Sequence, residues 1–373
     1  MALQDEIIGD VVRRRLGSIA SMRIGILTSG GDAPGMNAAI RALAVVGGAR
    51  GHEIVGIRNG YAGILAGDAG PIEADSLEGI TRQGGTILGS SRCLEMLTPE
   101  GQGKARAKVV ALGLDGLVVI GGNGSLTGAH VLGAGGKLRV VGLPASIDND
   151  VGHAGLAIGV DTAVNTIVEA CDRISDTARA HRRCFLVEVM GRNCGFLAMR
   201  AGIAAEADAV LYGEAGLGED DVYRRIESML ARCFREGRTK KRVLIVKSEG
   251  LAIPILTLRA RVAAMLDKIA PGVDARETVL GHVVRGGAPT ALDRTIAQRL
   301  GFGAILAMES GQTDVMLGWE PPFGVGRETM DPSVRLVPIE EVLAETARLL
   351  DGTSPVIQRR MEMLRQVEAV LPG

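Results

Sequence analysis

Two carboxylates stand two residues apart in the run Pro144-Ala145-Ser146-Ile147-Asp148-Asn149-Asp150, directly after an apolar stretch with the character of a strand. One member of such a pair can take the proton from an attacking hydroxyl group, while the other holds the geometry or a metal ion. The same run could also be an Asx-rich turn that caps the next helix. The residues therefore indicate a proton-transfer site and leave a purely structural turn open.

Three glycine-rich turns could hold the phosphate groups of a nucleotide. Residues 30–35 and 121–125 each follow an apolar strand, and residues 84–92 end in an arginine. Glycine lets backbone N–H groups approach an anion, and a helix that starts at the turn adds a favourable dipole. Each turn alone could be a simple tight turn, but three in one chain favour a nucleotide site. The first turn is neither a Walker loop nor GxGxxG, so Walker-type NTPases and Rossmann dehydrogenases are disfavoured.

Basic side chains gather at the ends of other predicted strands. A guanidinium group binds phosphate through two parallel hydrogen bonds, so several arginines around one pocket suit a sugar phosphate. Most arginines of a protein are solvated surface groups, and those flanked by glycine or by apolar strand residues are the better candidates. They are Arg182, Arg183, Arg192, Arg276 and Arg285, together with His282.

The elements that must position these residues alternate between strands and helices. Short apolar strands are predicted at 23–27, 53–57, 116–120, 139–143, 184–190, 209–211 and 242–246. Helical patterns separate them, for example at 34–47 and 161–175. Alternating βα units predict a doubly wound, mostly parallel sheet, in which ligands bind outside the carboxyl ends of the strands.

The same pattern divides the chain into segments. Residues 1–22 are an N-terminal extension with apolar residues at helical spacing. A first domain is predicted at 23–157, with C-terminal helices at about 300–350 crossing back to it. A second domain is predicted at 158–300 and a tail at 351–373. Turns at 319–322 and 330–332 are interpreted as loops before a terminal helix at about 339–350.

Composition narrows the class of protein. With 373 residues, 46% hydrophobic and 2% aromatic, the chain can fill the core of two domains with Val, Ile, Leu and Ala. A net charge of −1 gives no general attraction to nucleic acid or to an anionic membrane. No apolar run is long enough to cross a membrane, and residues 1–22 lack the apolar centre of a signal peptide. Five cysteines without CxxC spacing favour reduced thiols. These features predict a soluble cytoplasmic protein.

Taken together, the motifs resemble the 6-phosphofructokinase family, most closely its ATP-dependent bacterial branch. The markers stand in the family's order between about Arg23 and Arg299. They are LTSGGDAPGMNAAIR, GGTILGSSR, IGGNGS, PASIDND, VEVMGR and ETVLGHVVRGG. The resemblance implies two Rossmann-like doubly wound α/β domains with mostly parallel sheets. It places the active site in the cleft between them, with nucleotide bound mainly by the first domain and sugar phosphate by the second.

The resemblance also implies an activity, the glycolytic transfer of a phosphoryl group from ATP to the 1-hydroxyl of fructose 6-phosphate, which gives fructose 1,6-bisphosphate. Asp148 matches the family's general base, and Gly31 and Arg92 match the groups that stabilise the transferring phosphoryl. Arg192 matches a group near the reacting centre. Such catalysis would rest on positioning and charge stabilisation.

The remaining positions are carried over as ligand contacts. The further nucleotide positions are Cys93, Gly122, Asn123, Gly124 and Ser125. The further sugar-phosphate positions are Ser146, Ile147, Asp150, Arg183, Met190, Gly191, Glu249, Arg276, His282 and Arg285. In the family Arg183 and Arg276 come from a neighbouring subunit, so the resemblance implies a homo-oligomer, with a tetramer favoured over a dimer.

Two positions bear on the phosphoryl donor and one on the metal. Family members that use pyrophosphate have Asp where this chain has Gly124 and Lys where it has Ala145, so both residues favour ATP. Mg²⁺ is the implied cofactor. The family usually has an Asp metal contact at Asn123, and an amide without charge should lower the metal affinity or leave more of the binding to ATP.

Regulation and alternatives follow from other positions. Arg41 matches one arginine of the bacterial effector site, but Val45 and Ser175 replace others, so weak control by ADP or phosphoenolpyruvate is expected.

A pyrophosphate-dependent enzyme of the same fold and a kinase for another sugar phosphate, such as sedoheptulose 7-phosphate, remain open. A non-catalytic paralogue is disfavoured because Asp148, Asp150 and Arg192 are present.

Overall fold

The first sheet is built on apolar runs whose residues are buried along almost their whole length. The computed structural model describes residues 20–135, 138–236 and 242–368, so the apolar residues at helical spacing in the N-terminal extension lie outside the described residues. β1 (Arg23–Ser29), β2 (Glu53–Ile57), β4 (Gly116–Gly121) and β5 (Arg139–Pro144) run parallel to one another. Continuous apolar runs are typical of parallel strands that helices cover on both faces.

Additional strands complete this sheet at both edges. β3 (Ala69–Pro71) pairs antiparallel with β2, and β10 (Val315–Trp319) pairs parallel with β5. β12 (Val334–Pro338) and β11 (Arg327–Glu328) then add antiparallel strands. Within the described residues the order is β11-β12-β10-β5-β4-β1-β2-β3. The prediction that residues 319–322 form a loop is wrong for Trp319, which is the last residue of β10. A strand of five residues that contains a glycine is too short to show a clear apolar pattern in the sequence.

The second sheet is fully parallel. Its strands are β6 (Arg183–Val189), β7 (Ala209–Leu211), β8 (Arg242–Ser248) and β9 (Asp274–Val279), in the order β7-β8-β6-β9. A core mostly of Val, Ile, Leu, Met and Ala side chains, which also includes Tyr223, fills one of its faces. β9 was not predicted, because charged residues at Asp274, Arg276 and Glu277 interrupt its apolar pattern.

Helices lie between and beyond the strands. In chain order they are α1 (Met36–Ala49), α2 (Tyr61–Ala66), α3 (Pro99–Ala111), α4 (Asn123–Gly133), α5 (Val160–His181), α6 (Phe196–Ala204), α7 (Glu219–Cys233), α8 (Ile255–Ile269), α9 (Ala291–Glu309), α10 (Ile339–Leu350) and α11 (Pro355–Glu368). No helix among the described residues is long and apolar enough to cross a membrane. The prediction of an α/β fold with mostly parallel sheets is confirmed.

The chain divides into two compact units. The first holds the described residues up to 146, residues 151–159 and residues 288–344. The second holds residues 147–150, the described part of 160–287, and the chain from 345 onward. The short segment with Asp148 therefore belongs to the second unit, although it follows β5 of the first directly. α11, which falls in the predicted C-terminal tail, packs on α6 of the second unit and buries Ile357, Met361 and Leu364.

An ion pair lies at the carboxyl ends of β6 and β8. Lys247 is only 1% exposed, and its Nζ donates to Glu188 Oε2 at 2.6 Å and to the Ser248 carbonyl at 3.0 Å. The strand register places Lys247 directly beside Glu188. A buried ammonium without its carboxylate partner is strongly unfavourable, so each member depends on the other.

This pair predicts a stability effect. Lys247→Met leaves Glu188 without its partner and should lower the free energy of unfolding by about 3 kcal/mol. The double variant Lys247→Met/Glu188→Leu should regain part of that loss, because no charge is left unpaired. Lys268→Met, at an exposed position of α8, serves as the control. Denaturant unfolding would measure all three, and equal stability of Lys247→Met and wild type would contradict the pair's importance.

Candidate active site

The first unit brings two of the predicted phosphate turns together at the carboxyl ends of β1 and β4. Ser125 Oγ donates to the Ser29 carbonyl at 2.9 Å. A Cβ atom built on Gly121 would lie 2.4 Å from that carbonyl and 2.5 Å from Ser125 Oγ, so only glycine fits there. α4 begins at Asn123, and its N-cap residue is Gly122, which has no side chain to cap the helix. Uncapped N–H groups at a helix start are suited to bind an anion.

The third glycine-rich turn is tied to the first by hydroxyl groups. Thr28 Oγ1 donates to the Gly89 carbonyl at 2.7 Å, and Ser90 Oγ donates to the Gly30 carbonyl at 2.5 Å. Gly31 and Arg92 are both exposed at this edge of the sheet. The structure thus collects the residues that the sequence analysis assigned to the donor's phosphates on one face of the first unit.

Asn37 holds the same turn from the other side, and it is not among the residues predicted from the sequence. The side chain is buried in α1, and its Nδ2 donates to the carbonyls of Gln83 at 3.1 Å and Gly84 at 3.3 Å. Its Oδ1 accepts from Ile87 N at 2.8 Å. The available signal was a polar residue on the otherwise apolar inner face of a predicted helix, where an amide can satisfy backbone groups of a passing loop.

A cavity of about 390 Å³ opens beside this edge, between α2 and α3. Apolar side chains form one wall, and Cys93 with charged side chains forms the other. The lining residues are Ala62, Leu65, Ala66, Cys93, Glu95, Lys104 and Lys108. Volumes of this size, with an apolar wall and a few polar groups, are typical of small-ligand pockets. Cys93 is half-buried, whereas the other four cysteines are buried, so it is the accessible thiol of the chain.

The second unit collects the acceptor candidates at the carboxyl edge of its sheet. The loop after β6 carries Gly191 and Arg192, and the loop after β8 carries Glu249. Gly191 has a φ of +123°, its N–H donates to Glu249 Oε1 at 3.3 Å, and its carbonyl accepts from Ser248 Oγ at 2.6 Å. These bonds fix the two loops to each other, with Arg192 and Glu249 exposed and Met190 buried beneath.

The turn after β9 adds the remaining basic groups. Leu280 N donates to the Glu188 carbonyl at 3.0 Å, and residues Gly281–Arg285 form a 3₁₀ turn. His282 is exposed and Arg285 is half-buried. The strand-end arginine and histidine that the sequence analysis selected therefore lie at the same sheet edge as Arg192 and Glu249.

Asp148 stands in a segment with a constrained backbone. Ile147 is fully buried, and Asn149 has a left-handed φ of +50°. Asp148 is half-buried, and its Oδ1 is a buried oxygen with no hydrogen-bond partner among the described residues. Burial, and then the charge of Asp150, raise the pKa of Asp148 to about 6, against the opposing charge of Arg285. A carboxylate of this kind is ionised near neutral pH and has an oxygen ready to accept a proton.

Two predicted ligands lie at the opposite end of the second sheet. Arg183 begins β6, and Arg276 lies in β9 beside Phe185. Both guanidinium groups contact Asp274, at 4.0 Å and 2.9 Å. At about 3.3 Å per residue, Arg183 lies about 20 Å from the carboxyl edge of the strand. One chain thus does not bring Arg183 and Arg276 to the other acceptor candidates.

The described residues of the first unit do not form a metal site built from protein side chains alone. Among the described residues there is no group of three or more His, Cys, Asp or Glu side chains that could hold a metal ion. Asn123 provides an amide oxygen at the start of α4. Mg²⁺ usually binds through one or two protein groups plus the phosphates of a substrate. The residues present fit a magnesium ion that enters with its phosphate ligand.

Comparison with known proteins gives a consistent result. The family model for Phosphofructokinase matches residues 23–308. The chain is 42% identical over 328 residues to the ATP-dependent 6-phosphofructokinase of Thermotoga neapolitana, covering 88% of this chain and 99% of that protein. It is 46% identical over 298 residues to ATP-dependent 6-phosphofructokinase 1 of Thermus thermophilus, covering 79% and 89%. The structure of phosphofructokinase from Saccharomyces cerevisiae aligns with a TM-score of 0.79 and 29% identity, covering 92% of this chain and 50% of that one.

The raised pKa of Asp148 predicts a pH-dependent stability. Because the pKa of about 6 in the folded protein exceeds the ordinary aspartate value of 3.8, ionising this carboxyl disfavours the folded state. The penalty is absent below pH 3.8, develops up to pH 6, and is complete above it. Asp148→Asn should therefore be more stable than wild type at pH 7.5, by about 1–3 kcal/mol. The advantage should shrink by pH 4.5.

Urea unfolding at both pH values would measure this. Asp32→Asn, at a half-buried carboxylate of the first unit, provides a control for the loss of one negative charge. An advantage of Asp148→Asn that stays the same at pH 4.5 and pH 7.5 would contradict the raised pKa.

Proposed function

The chain belongs to the phosphofructokinase family, and from this membership we propose that it transfers a phosphoryl group from ATP to the 1-hydroxyl of fructose 6-phosphate. The product is fructose 1,6-bisphosphate, and the reaction is a step of glycolysis. The observation that carries the proposal is Asp148, whose buried Oδ1 has no partner among the described residues and whose pKa is raised to about 6. A general base needs an accepting oxygen and a pKa near the working pH.

In this proposal the second unit binds the sugar phosphate. Asp148 takes the proton of the attacking 1-hydroxyl, and Glu249 contacts a sugar hydroxyl group. His282 and Arg285 hold the 6-phosphate, because guanidinium and imidazolium groups donate to phosphate oxygens. Arg192 lies beside the reacting centre and offsets developing negative charge. Ser146, Ile147, Asp150, Met190 and Gly191 complete the contacts.

The first unit binds ATP. The cavity lined by Cys93 receives the nucleoside, and the glycine-rich turns hold the phosphates through backbone N–H groups. Gly31 and Arg92 stabilise the transferring phosphoryl group. Gly124 is exposed, with no atom within 4 Å of a Cβ built on it, which supports a position kept open for the phosphates of a nucleotide. Gly122, Asn123 and Ser125 form the rest of this turn.

Mg²⁺ is proposed as the cofactor that ATP brings with it. When bound, it would neutralise charge on the transferring phosphoryl group. Asn123 is the residue of the first unit proposed to contact the ion or one of its waters through the amide oxygen. Because an amide has no charge, the phosphates of ATP would supply most of the binding free energy.

A homo-oligomer is proposed to complete the sugar-phosphate site. Support comes from the position of Arg183 and Arg276, which share Asp274 at the amino end of the second sheet. A neighbouring copy could bring both arginines to the 6-phosphate, and a tetramer is favoured over a dimer. The cytoplasmic location stays a prediction.

Weak control by ADP or phosphoenolpyruvate also stays a prediction. Ser175, which replaces one effector arginine of the bacterial enzymes, is 2% exposed and accepts from Arg242 Nη1 at 3.0 Å. This position serves the packing of α5 on β8 and offers no charge to an anionic effector.

The direct test is turnover of fructose 6-phosphate with ATP or with pyrophosphate, each with and without Mg²⁺. Of these four combinations, only ATP with Mg²⁺ is expected to give activity. Asp148→Asn should lower kcat by about 10²- to 10⁴-fold, since proton transfer by a positioned base contributes that much. The rate should also fall as the pH drops through about 6, where Asp148 takes up its proton. Activity with pyrophosphate in place of ATP, or full activity of Asp148→Asn, would refute the proposal.

Cys93 allows the ATP site to be tested without turnover. A maleimide should modify Cys93 rapidly and the four buried cysteines slowly in the native protein. ATP should protect Cys93 at concentrations near its dissociation constant, whereas fructose 6-phosphate should not. Cys93→Ser supplies the control for labelling elsewhere. Equal labelling of Cys93 with and without ATP would show that the nucleotide does not bind in this cavity.

A further inference from the structure

Asp293 is a fully buried carboxylate near the first phosphate turn. It is 0% exposed and lies in the first turn of α9. The N-terminal residue Thr290 accepts from Asp293 N at 3.2 Å, so the backbone of this turn is fixed. Burial of a carboxylate is costly unless its oxygens are hydrogen-bonded, so the surroundings of this side chain must be specific.

The carboxylate of Asp293 holds a connecting segment, residues 157–159. Gly159 N donates to Asp293 Oδ1 at 2.9 Å. The same segment is held at the end of β5, where Ile158 N donates to the Pro144 carbonyl at 3.0 Å. The connecting segment is therefore fixed between β5 and the start of α9.

The connecting segment packs closely against the first phosphate turn. A Cβ atom built on Gly159 would lie 2.7 Å from Ala33 Cβ and 3.2 Å from Pro34 N, and Gly159 has a φ of +98°. A Cβ atom on Gly35 would lie 2.7 Å from Ile158 Cγ2, and Gly35 has a φ of +113°. Two left-handed glycines thus let the backbones of the turn and of the segment meet without a side chain between them.

From these contacts we infer that Asp293 is a positioning residue for the phosphate turn. Its side chain is fully buried, so it is assigned no direct contact with the substrates. Through Gly159 it sets the place of Ala33 and Pro34, and with them the place of the adjoining Gly31, which the proposed function assigns to the transferring phosphoryl group. The inference rests on the proposed function, because it gives this turn its role in phosphoryl transfer.

The expected signature is a loss in kcat without a loss of substrate binding. Asp293→Ala removes the acceptor of Gly159 N and should let the turn shift, lowering kcat by about 10- to 100-fold, as small misplacements do. ATP affinity, measured by protection of Cys93, should change by less than about threefold, because the nucleoside cavity between α2 and α3 and the other two glycine-rich turns keep their contacts. The KM for fructose 6-phosphate should change as little. Asp293→Asn keeps an oxygen acceptor and should restore kcat to within about threefold of wild type.

Asp208 provides a matched control. It is 3% exposed, and its Oδ2 accepts from Leu244 N at 2.9 Å, so it also fixes one backbone N–H within a core. Asp208→Ala should lose stability but keep kcat per folded molecule, with the folded fraction taken from circular dichroism. An equal loss of kcat in Asp208→Ala and Asp293→Ala would show a merely structural role and overturn the inference.

Two further outcomes keep the test decisive. If Asp293→Ala does not fold, Ala33→Gly loosens the same contact by removing Ala33 Cβ, and it should lower kcat by about 3- to 10-fold. Wild-type kcat in Ala33→Gly, or in a folded Asp293→Ala, would contradict the inference. Wild-type protein without turnover would instead refute the proposed function, so the two failures can be told apart.

Discussion

The carbonyl oxygen of Ser29 and the hydroxyl of Ser125 lie where any side chain at position 121 would have to stand. This steric constraint lets the ends of β1 and β4 approach each other, and the other turns are arranged around it. Gly30 is tied to Ser90, Thr28 to Gly89, and Asn37 to residues 83–87. The result is an edge built from backbone N–H groups and small hydroxyl residues, which can approach a polyphosphate more closely than long side chains would permit.

The carboxyl edge of the second sheet is built differently. It presents charged side chains rather than backbone groups, and these need support from below. Ser248 and Glu249 bind the backbone of Gly191, and the buried pair of Lys247 and Glu188 lies directly beneath the loops. An arginine or glutamate that must meet a sugar phosphate in one orientation loses much rotamer freedom, so a rigid backbone under it reduces that cost.

Stability and chemistry oppose each other at Asp148. A half-buried carboxyl with an unpartnered oxygen and a raised pKa weakens the folded state at neutral pH. The same features are what a general base requires, since a fully hydrogen-bonded carboxylate would be a weaker proton acceptor. Asp208 shows the alternative within the same unit, a buried carboxylate whose oxygens are occupied by backbone and thiol partners.

The sequence alone determined the fold class, most strands, the position of the three glycine-rich turns and the candidate pair of carboxylates, because glycine spacing and apolar period are local properties. It also determined the family, since the motifs are long and ordered. The tertiary structure decided what depends on distant partners. It added β9, β10 and β12, whose short or charged strands form only against neighbours that are already in place. It showed Asn37, Lys247 and Asp293 as buried polar residues, a role that no spacing reveals because each is satisfied by a segment more than 40 residues away. It also placed Arg183 and Arg276 at the far end of their sheet, because strand direction and register, rather than residue type, fix which end a side chain occupies.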